Sequence, residues 1–143
     1  MLAVAHSLFF TKLAPLFFAG IGFGLLITVH EFGHFLFCKL FGIGTPVFSI
    51  GFGPSLIKRQ IGQTEFRLSL IPLGGYCAVQ GMGEVEVVDV KGATQSDDSA
   101  SFEDKPFWQK FLVIMGGIIF NIAFAYLAFT AIHVGSRAKM STA

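Results

Sequence analysis

The hydrophobic positions of the chain fall into two long and nearly uninterrupted segments. The first runs from about residue 13 to residue 40, and the second from about residue 111 to residue 134. A helix needs roughly 20 apolar residues to cross the hydrocarbon core of a bilayer. Both segments are long enough, so the pattern predicts two membrane-spanning helices with about 70 residues between them.

The intervening residues have a different pattern. Residues 45–82 are rich in β-branched and aromatic side chains interrupted by Gly and Pro, which predicts strands and turns. Residues 83–104 are acidic and polar, and they predict a solvated loop. The predicted fold class is therefore a membrane α-helical protein with an inserted β-rich region.

Composition supports a lipid bilayer as the environment of the chain. Of its 143 residues, 53% are hydrophobic and 13% are charged, whereas an average soluble domain is about a quarter charged. The net charge of +1 predicts no nucleic-acid partner. Lys and Arg are more frequent between the two apolar segments than outside them, which favours a cytoplasmic loop with both flanking ends on the opposite side.

Three polar side chains lie inside the first apolar segment, where they form the motif H-E-x-x-H as His30, Glu31 and His34. Positions four apart share one face of a helix and are about 6 Å apart along its axis. Two imidazoles so placed can bind one tetrahedral zinc ion. The glutamate between them can act as a general base toward water.

The position of this motif in an apolar helix adds to its significance. A carboxylate at the centre of a spanning helix costs on the order of 3 kcal/mol or more, so such groups usually face a partner or a wet cavity. A bound Zn²⁺ would offset that cost. The alternative is a buried hydrogen-bonded pair of Glu31 and one histidine, with the other histidine near the interface.

Several motifs occur in an order that resembles the bacterial, regulator-of-sigma-E type branch of the site-two proteases, which are intramembrane zinc metalloproteases. The matching stretches follow the HExxH helix in this order: "GFGP" at 51–54, "IPLGGY" at 71–76 and "SFEDKPFWQKFLVIMGGIIFN" at 101–121. The last contains Gly117 and Asn121 at the spacing of the family's G-P-x-x-N. Ile118 stands where proline is common in that motif.

The resemblance implies an intramembrane zinc metalloendopeptidase that cleaves single-pass membrane proteins within or near the bilayer. By that resemblance His30 and His34 hold Zn²⁺, and Glu31 activates water. It also implies a multi-pass protein of the bacterial inner membrane, in which the β-rich region is a membrane-associated hairpin.

Substrate-binding residues follow from the resemblance as well. Asn121 is expected to hydrogen-bond the substrate backbone or the tetrahedral intermediate; an interhelical hydrogen bond is the alternative. Gly74 and Gly75 lie in a segment, residues 63–79, that is expected to pair with an extended substrate. Their alternative role is to form turns at the membrane interface.

A catalytic zinc usually has three protein ligands, and the HExxH motif supplies two. In the family the third is an Asp from an L-D-G motif on a later span, and the chain contains no L-D-G. The chain therefore resembles the N-terminal half of the fold. Three explanations stay open: the chain is a fragment, a second polypeptide supplies the ligand, or Cys38, Asn121 or His133 replaces it.

The alternative function is that of a catalytically incomplete fragment or pseudoenzyme. Such a protein would act as a membrane binding module for extended segments.

Overall fold

The computed structural model describes residue 11, residues 13–82 and residues 100–141, with side chains up to residue 137. Its elements in chain order are helix α1 (Ala14–Leu40), strand β1 (Val47–Ile61), strand β2 (Thr64–Cys77) and helix α2 (Phe107–Ser141). Two long helices and an antiparallel sheet between them confirm the predicted elements. Most of the predicted polar loop, residues 83–99, lies outside the described residues.

The two helices are each long and apolar enough to cross a membrane. Pro15 lies in the first turn of α1, where its missing N–H leaves no helical hydrogen bond unmade. Only 11% of the most apolar stretch of α1 and 17% of that of α2 is buried within the protein. These helices therefore keep most of their apolar surface outward, unlike the core helices of a soluble domain.

The two strands pair antiparallel and are joined by a tight turn at Gly62 and Gln63. Gly62 has a φ of 60°, a left-handed conformation that glycine adopts without steric cost. Near the turn, the register runs from Ile61 opposite Thr64 to Ile57 opposite Leu68.

The beginning of β1 lies between two segments of β2. Phe48 is opposite both Phe66 and Cys77, and Ile50 is opposite both Leu68 and Gly75. The bent β2 thus contacts this part of β1 on both sides. The outer segments of the sheet are consequently residues 55–61 and residues 71–77.

Aromatic and apolar contacts fix the sheet and α2 against α1. The ring of Phe35 on α1 lies 5.2 Å from that of Phe48 and 5.6 Å from that of Phe66, centroid to centroid. At the end of α1, a buried cluster joins α1, α2 and the segments that follow α1 and β2; its members are Cys38, Ile43, Val79 and Val113. The middle of α1 is therefore held between α2 and the sheet.

Candidate metal centre

Glycines allow α1 and α2 to approach each other at the level of the HExxH motif. A Cβ placed on Gly33 would collide with the backbone carbonyl of Gly116, and a Cβ on Gly116 would come within 2.7 Å of the Phe37 ring. Small residues at a helix contact permit this kind of close backbone approach. The contact brings one face of α2 directly against the two histidines.

The backbone of α2 determines the orientation of His34. Its Nδ1–H donates a hydrogen bond of 2.7 Å to the carbonyl oxygen of Val113, a residue with 0% exposure. With that proton on Nδ1, a neutral imidazole has a free lone pair on Nε2. Metal-bound histidines usually have this arrangement, in which the other ring nitrogen donates to a carbonyl or carboxylate.

His30 lies between His34 and two residues of α2. Its Nε2 is 3.1 Å from the Nε2 of His34, and the two rings are nearly perpendicular at 81°. Its Nδ1 is 3.2 Å from the Nδ2 of Asn121. The ring also faces Gly117, where a Cβ would come within 2.5–2.6 Å of three ring atoms. Val113, Gly117 and Asn121 are four apart, so one face of α2 contacts both imidazoles.

The histidine pair fits a zinc ion by distance. Two nitrogen ligands at the usual zinc–nitrogen distance are about 3.3 Å apart around a tetrahedral centre, and the two Nε2 atoms are 3.1 Å apart. The sequence prediction that His30 and His34 project together from one helix face agrees with this geometry.

Glu31 points toward the end of β2. Its Oε2 accepts a hydrogen bond of 3.2 Å from the backbone N–H of Cys77, a residue 46 positions away in the chain. Glu31 does not form a three-residue ligand group with the histidines. This placement would suit a general base beside a bound metal ion better than a metal ligand. It also differs from the alternative of a His–Glu pair, because the Glu31 carboxylate is hydrogen-bonded to the sheet.

No third His, Cys, Asp or Glu joins the histidine pair in the part of the chain that the structure describes. Cys38 is fully buried in the apolar cluster. His133 is exposed near the far end of α2 and stacks on Phe129, with ring centroids 6.4 Å apart. Asn121 contacts His30 through its side chain.

Gly74 and Gly75 are buried in the outer segment of β2. A Cβ on Gly74 would come within 2.5 Å of the Phe52 ring, and one on Gly75 would collide with the carbonyl of Ser49. Packing within the sheet thus explains glycine at both positions. A contact with substrate stays a prediction for them.

Several residues of the site were not found from the sequence. The Val113 carbonyl and the Cys77 N–H are backbone groups, so side-chain motifs carry no signal for them. The close helix contact at Gly33 and Gly116 was also missed. The four-residue spacing of Val113, Gly117 and Asn121 was a usable signal, since it places them on one helical face.

A pair of convergent imidazoles with a fixed carboxylate in an HExxH helix defines a candidate metallopeptidase. Comparison with protein families identifies the particular peptidase family: residues 18–141 match the model of Peptidase family M50. The chain belongs to this family. The resemblance to site-two proteases is thereby confirmed.

Individual relatives carry names of the same kind. The chain is 39% identical to a provisionally named zinc metalloprotease of Chlamydia pneumoniae. The 124 aligned residues make up 85% of this chain and 20% of the relative. It is 38% identical to one from Borreliella burgdorferi, over 82% of this chain and 27% of the relative. It is 41% identical to one from Helicobacter pylori, over 78% of this chain and 31% of the relative. The chain spans between a fifth and a third of their length.

Proposed function

We propose that this chain supplies the metal-binding helix and the substrate-facing sheet of an intramembrane zinc metalloendopeptidase. The observation that carries the proposal is the 3.1 Å separation of the two Nε2 atoms. Since His34 uses its Nδ1–H for the Val113 carbonyl, its Nε2 lone pair is directed toward His30. This spacing supports a role for the two imidazoles as ligands of one ion.

His30 and His34 would hold the zinc, which when bound acidifies water and polarises a peptide carbonyl. Glu31 would take the proton of the attacking water on Oε1, because Oε2 accepts the Cys77 N–H. The same hydrogen bond restricts the rotation of the carboxylate and connects the base to the sheet. Glu31 would later return the proton to the leaving amine.

The membrane is the proposed environment of this chemistry. The long helices α1 and α2 expose most of their apolar surface. Lipid could surround both helices, because the backbone N–H and C=O groups of a helix are hydrogen-bonded within the helix itself. The third ligand, an Asp by family resemblance, would come from the remainder of the protein. We place the protein in the bacterial inner membrane as a multi-pass protein, in keeping with its family and the bacterial relatives.

An extended segment of a membrane-protein substrate is the proposed occupant of the sheet edge. Peptide bonds in a helix are engaged in their own hydrogen bonds, so cleavage requires an extended chain whose backbone groups need new partners. The outer segment of β2, residues 71–77, ends at Cys77, which holds Glu31. A strand added there would lie beside the base, with Gly74 and Gly75 next to it.

The decisive experiment replaces Glu31 in the full-length protein, purified in detergent. Glu31→Gln is expected to keep the zinc and to lower cleavage of a single-pass substrate by at least about 100-fold. Glu103→Gln, at an exposed carboxylate ahead of α2, makes the same chemical change and should leave the rate unaltered. Full activity of Glu31→Gln would remove Glu31 as the base.

A binding module is the second candidate, favoured by the presence of only two histidine ligands in the part of the chain described. Such a protein would capture extended segments at the sheet without cleaving them. Zinc content decides between the two candidates. Stoichiometric zinc with cleavage supports the peptidase, and metal-free protein that still binds peptides supports the module.

A further inference from the structure

One continuous chain of hydrogen bonds connects the two helices, and it runs through Asn121, His30, His34 and Val113. His34 donates from Nδ1 to the Val113 carbonyl, which leaves its Nε2 as an acceptor. His30 must then donate from Nε2 across the 3.1 Å contact. A neutral His30 in this form has an unprotonated Nδ1, which accepts from the Nδ2–H of Asn121 at 3.2 Å.

This arrangement of protons is incompatible with a metal ion on the pair. A metal needs the lone pair of Nε2 on both rings, so a neutral His30 must carry its proton on Nδ1 instead. The Nδ1–H and the Nδ2–H of Asn121 would then face each other as two donors. One of the two groups has to change when the metal binds.

The amide of Asn121 provides the change. Its Oδ1 is buried and has no hydrogen-bond partner among the described residues, although the Nδ2 on the same carbon faces His30. A half-turn of the amide exchanges the two atoms and brings Oδ1 to Nδ1. The same rotation supplies the acceptor that a metal-bound His30 requires, and it moves Nδ2 to the position that Oδ1 occupies in this structure.

We propose that Asn121 is a positioning residue for His30, whose side-chain carbonyl accepts the His30 Nδ1–H when Nε2 binds zinc. The proton of His30 moves from Nε2 to Nδ1, the imidazole stays neutral and no net proton is released from it. The inference rests on the proposed zinc function and assigns Asn121 to the metal rather than to the substrate. Val113 and Asn121, eight residues apart on α2, would then hold the two ligands in matching tautomers.

An interhelical hydrogen bond with no role in metal binding is the competing explanation. It predicts that Asn121 contributes to helix association whether or not zinc is present. It predicts the same zinc affinity for a variant that keeps an acceptor at position 121 and for a variant that lacks one. The variants below separate the two explanations on these points.

Zinc affinity of the full-length protein, measured by competition with a chelator in detergent, is the first readout. Asn121→Leu removes the acceptor and is expected to weaken zinc binding about 10- to 100-fold. Asn121→Asp retains an acceptor of the same shape and should stay within a few-fold of wild type. Thr130→Val is the matched control, because the Thr130 hydroxyl bonds only to the carbonyl of Tyr126 on its own helix in the described structure.

Nitrogen-15 NMR of labelled histidines is the second readout and needs no substitution. In the zinc-loaded wild type, His30 is expected to show a protonated Nδ1 and a metal-bound Nε2. In the metal-free wild type, it should show the opposite tautomer. A His30 that binds zinc through Nδ1, or a tautomer that does not change with zinc, would overturn the proposal.

The outcomes also distinguish this inference from the proposed function. Wild-type protein that binds zinc and cleaves, with an equal zinc affinity in Asn121→Leu, defeats the role of Asn121 and leaves the peptidase intact. Wild-type protein that binds no zinc defeats both.

Discussion

Gly117 on α2 lies directly against the imidazole of His30 on α1. A Cβ at this position would meet three atoms of the ring within 2.6 Å, which is far closer than van der Waals contact. The absence of a side chain at Gly117 is therefore what allows the ring to lie between Asn121 and His34.

We expect Gly117→Ala to displace the His30 ring and to weaken zinc binding by roughly 5- to 150-fold, since overpacking of this kind costs roughly 1–3 kcal/mol. Zinc affinity by chelator competition measures the effect. Gly135→Ala is the matched control on the same helix, because a Cβ there meets nothing within 4 Å. Equal zinc affinity in the two variants would contradict the contact between Gly117 and His30.

Gly33→Ala should reduce the stability of the protein. The added methyl group meets the backbone of Gly116 and Gly117, so α1 and α2 must separate at a cost of about 1–3 kcal/mol. Thermal unfolding in detergent, followed by circular dichroism, is the measurement.

The control for this variant is Gly22→Ala, which introduces the same group on α1 where no atom lies within 4 Å. It should be neutral or slightly stabilising, since alanine has the higher helix propensity. Equal stability of Gly33→Ala and Gly22→Ala would contradict the close approach of α1 and α2 at Gly33.

Removal of either imidazole of the pair should remove the metal. His34→Ala loses one ligand and the hydrogen bond to Val113, so bound zinc should fall below a tenth of the wild-type content after dialysis, and cleavage should fall with it. His133→Ala removes a histidine that stacks on Phe129 at the exposed end of α2, and it should retain full zinc content. Zinc is measured by atomic emission on the purified proteins, and a loss of zinc from His133→Ala would point to an additional ligand.

The thiol of Cys77 should make stability depend on pH in the alkaline range. Burial raises the pKa of Cys77 above its ordinary value of 9.0, so the folded protein retains a proton that the unfolded chain releases. This contribution to stability is fully present below the ordinary pKa and is lost as the pH rises toward the folded pKa, by at most about 1.4 kcal/mol per pH unit.

Cys77→Ala should therefore lose less stability between pH 8 and pH 10 than the wild type does. Denaturant unfolding at a series of pH values measures the difference. Parallel pH profiles for the two proteins would show that the Cys77 thiol titrates normally in the folded state.

The main elements of the fold could be predicted from the pattern of the sequence. Two apolar runs correspond to α1 and α2 because a bilayer-spanning helix must be apolar over most of its length. The β-branched and aromatic stretches correspond to β1 and β2. The bend that places the beginning of β1 between two segments of β2 was not predictable, since strand pairing over such distances depends on contacts that leave no local pattern.

The candidate site, like the fold, was predicted only in part from the sequence. By itself, the sequence determined that His30 and His34 share a helix face with Glu31 beside them, because the helical repeat alone sets the angles between positions four and one residue apart. It also indicated Asn121 as a polar group that needs a partner in an apolar helix.

Only the tertiary structure decided which partners these side chains have. The Val113 carbonyl, the amide of Asn121 and the N–H of Cys77 reach the motif from α2 and β2. Two of them are backbone groups, which every residue possesses and which no motif can single out. Their positions follow from the close approach of α1 to α2 at Gly33 and Gly116 and from the packing of the sheet on α1, and both are properties of the whole fold.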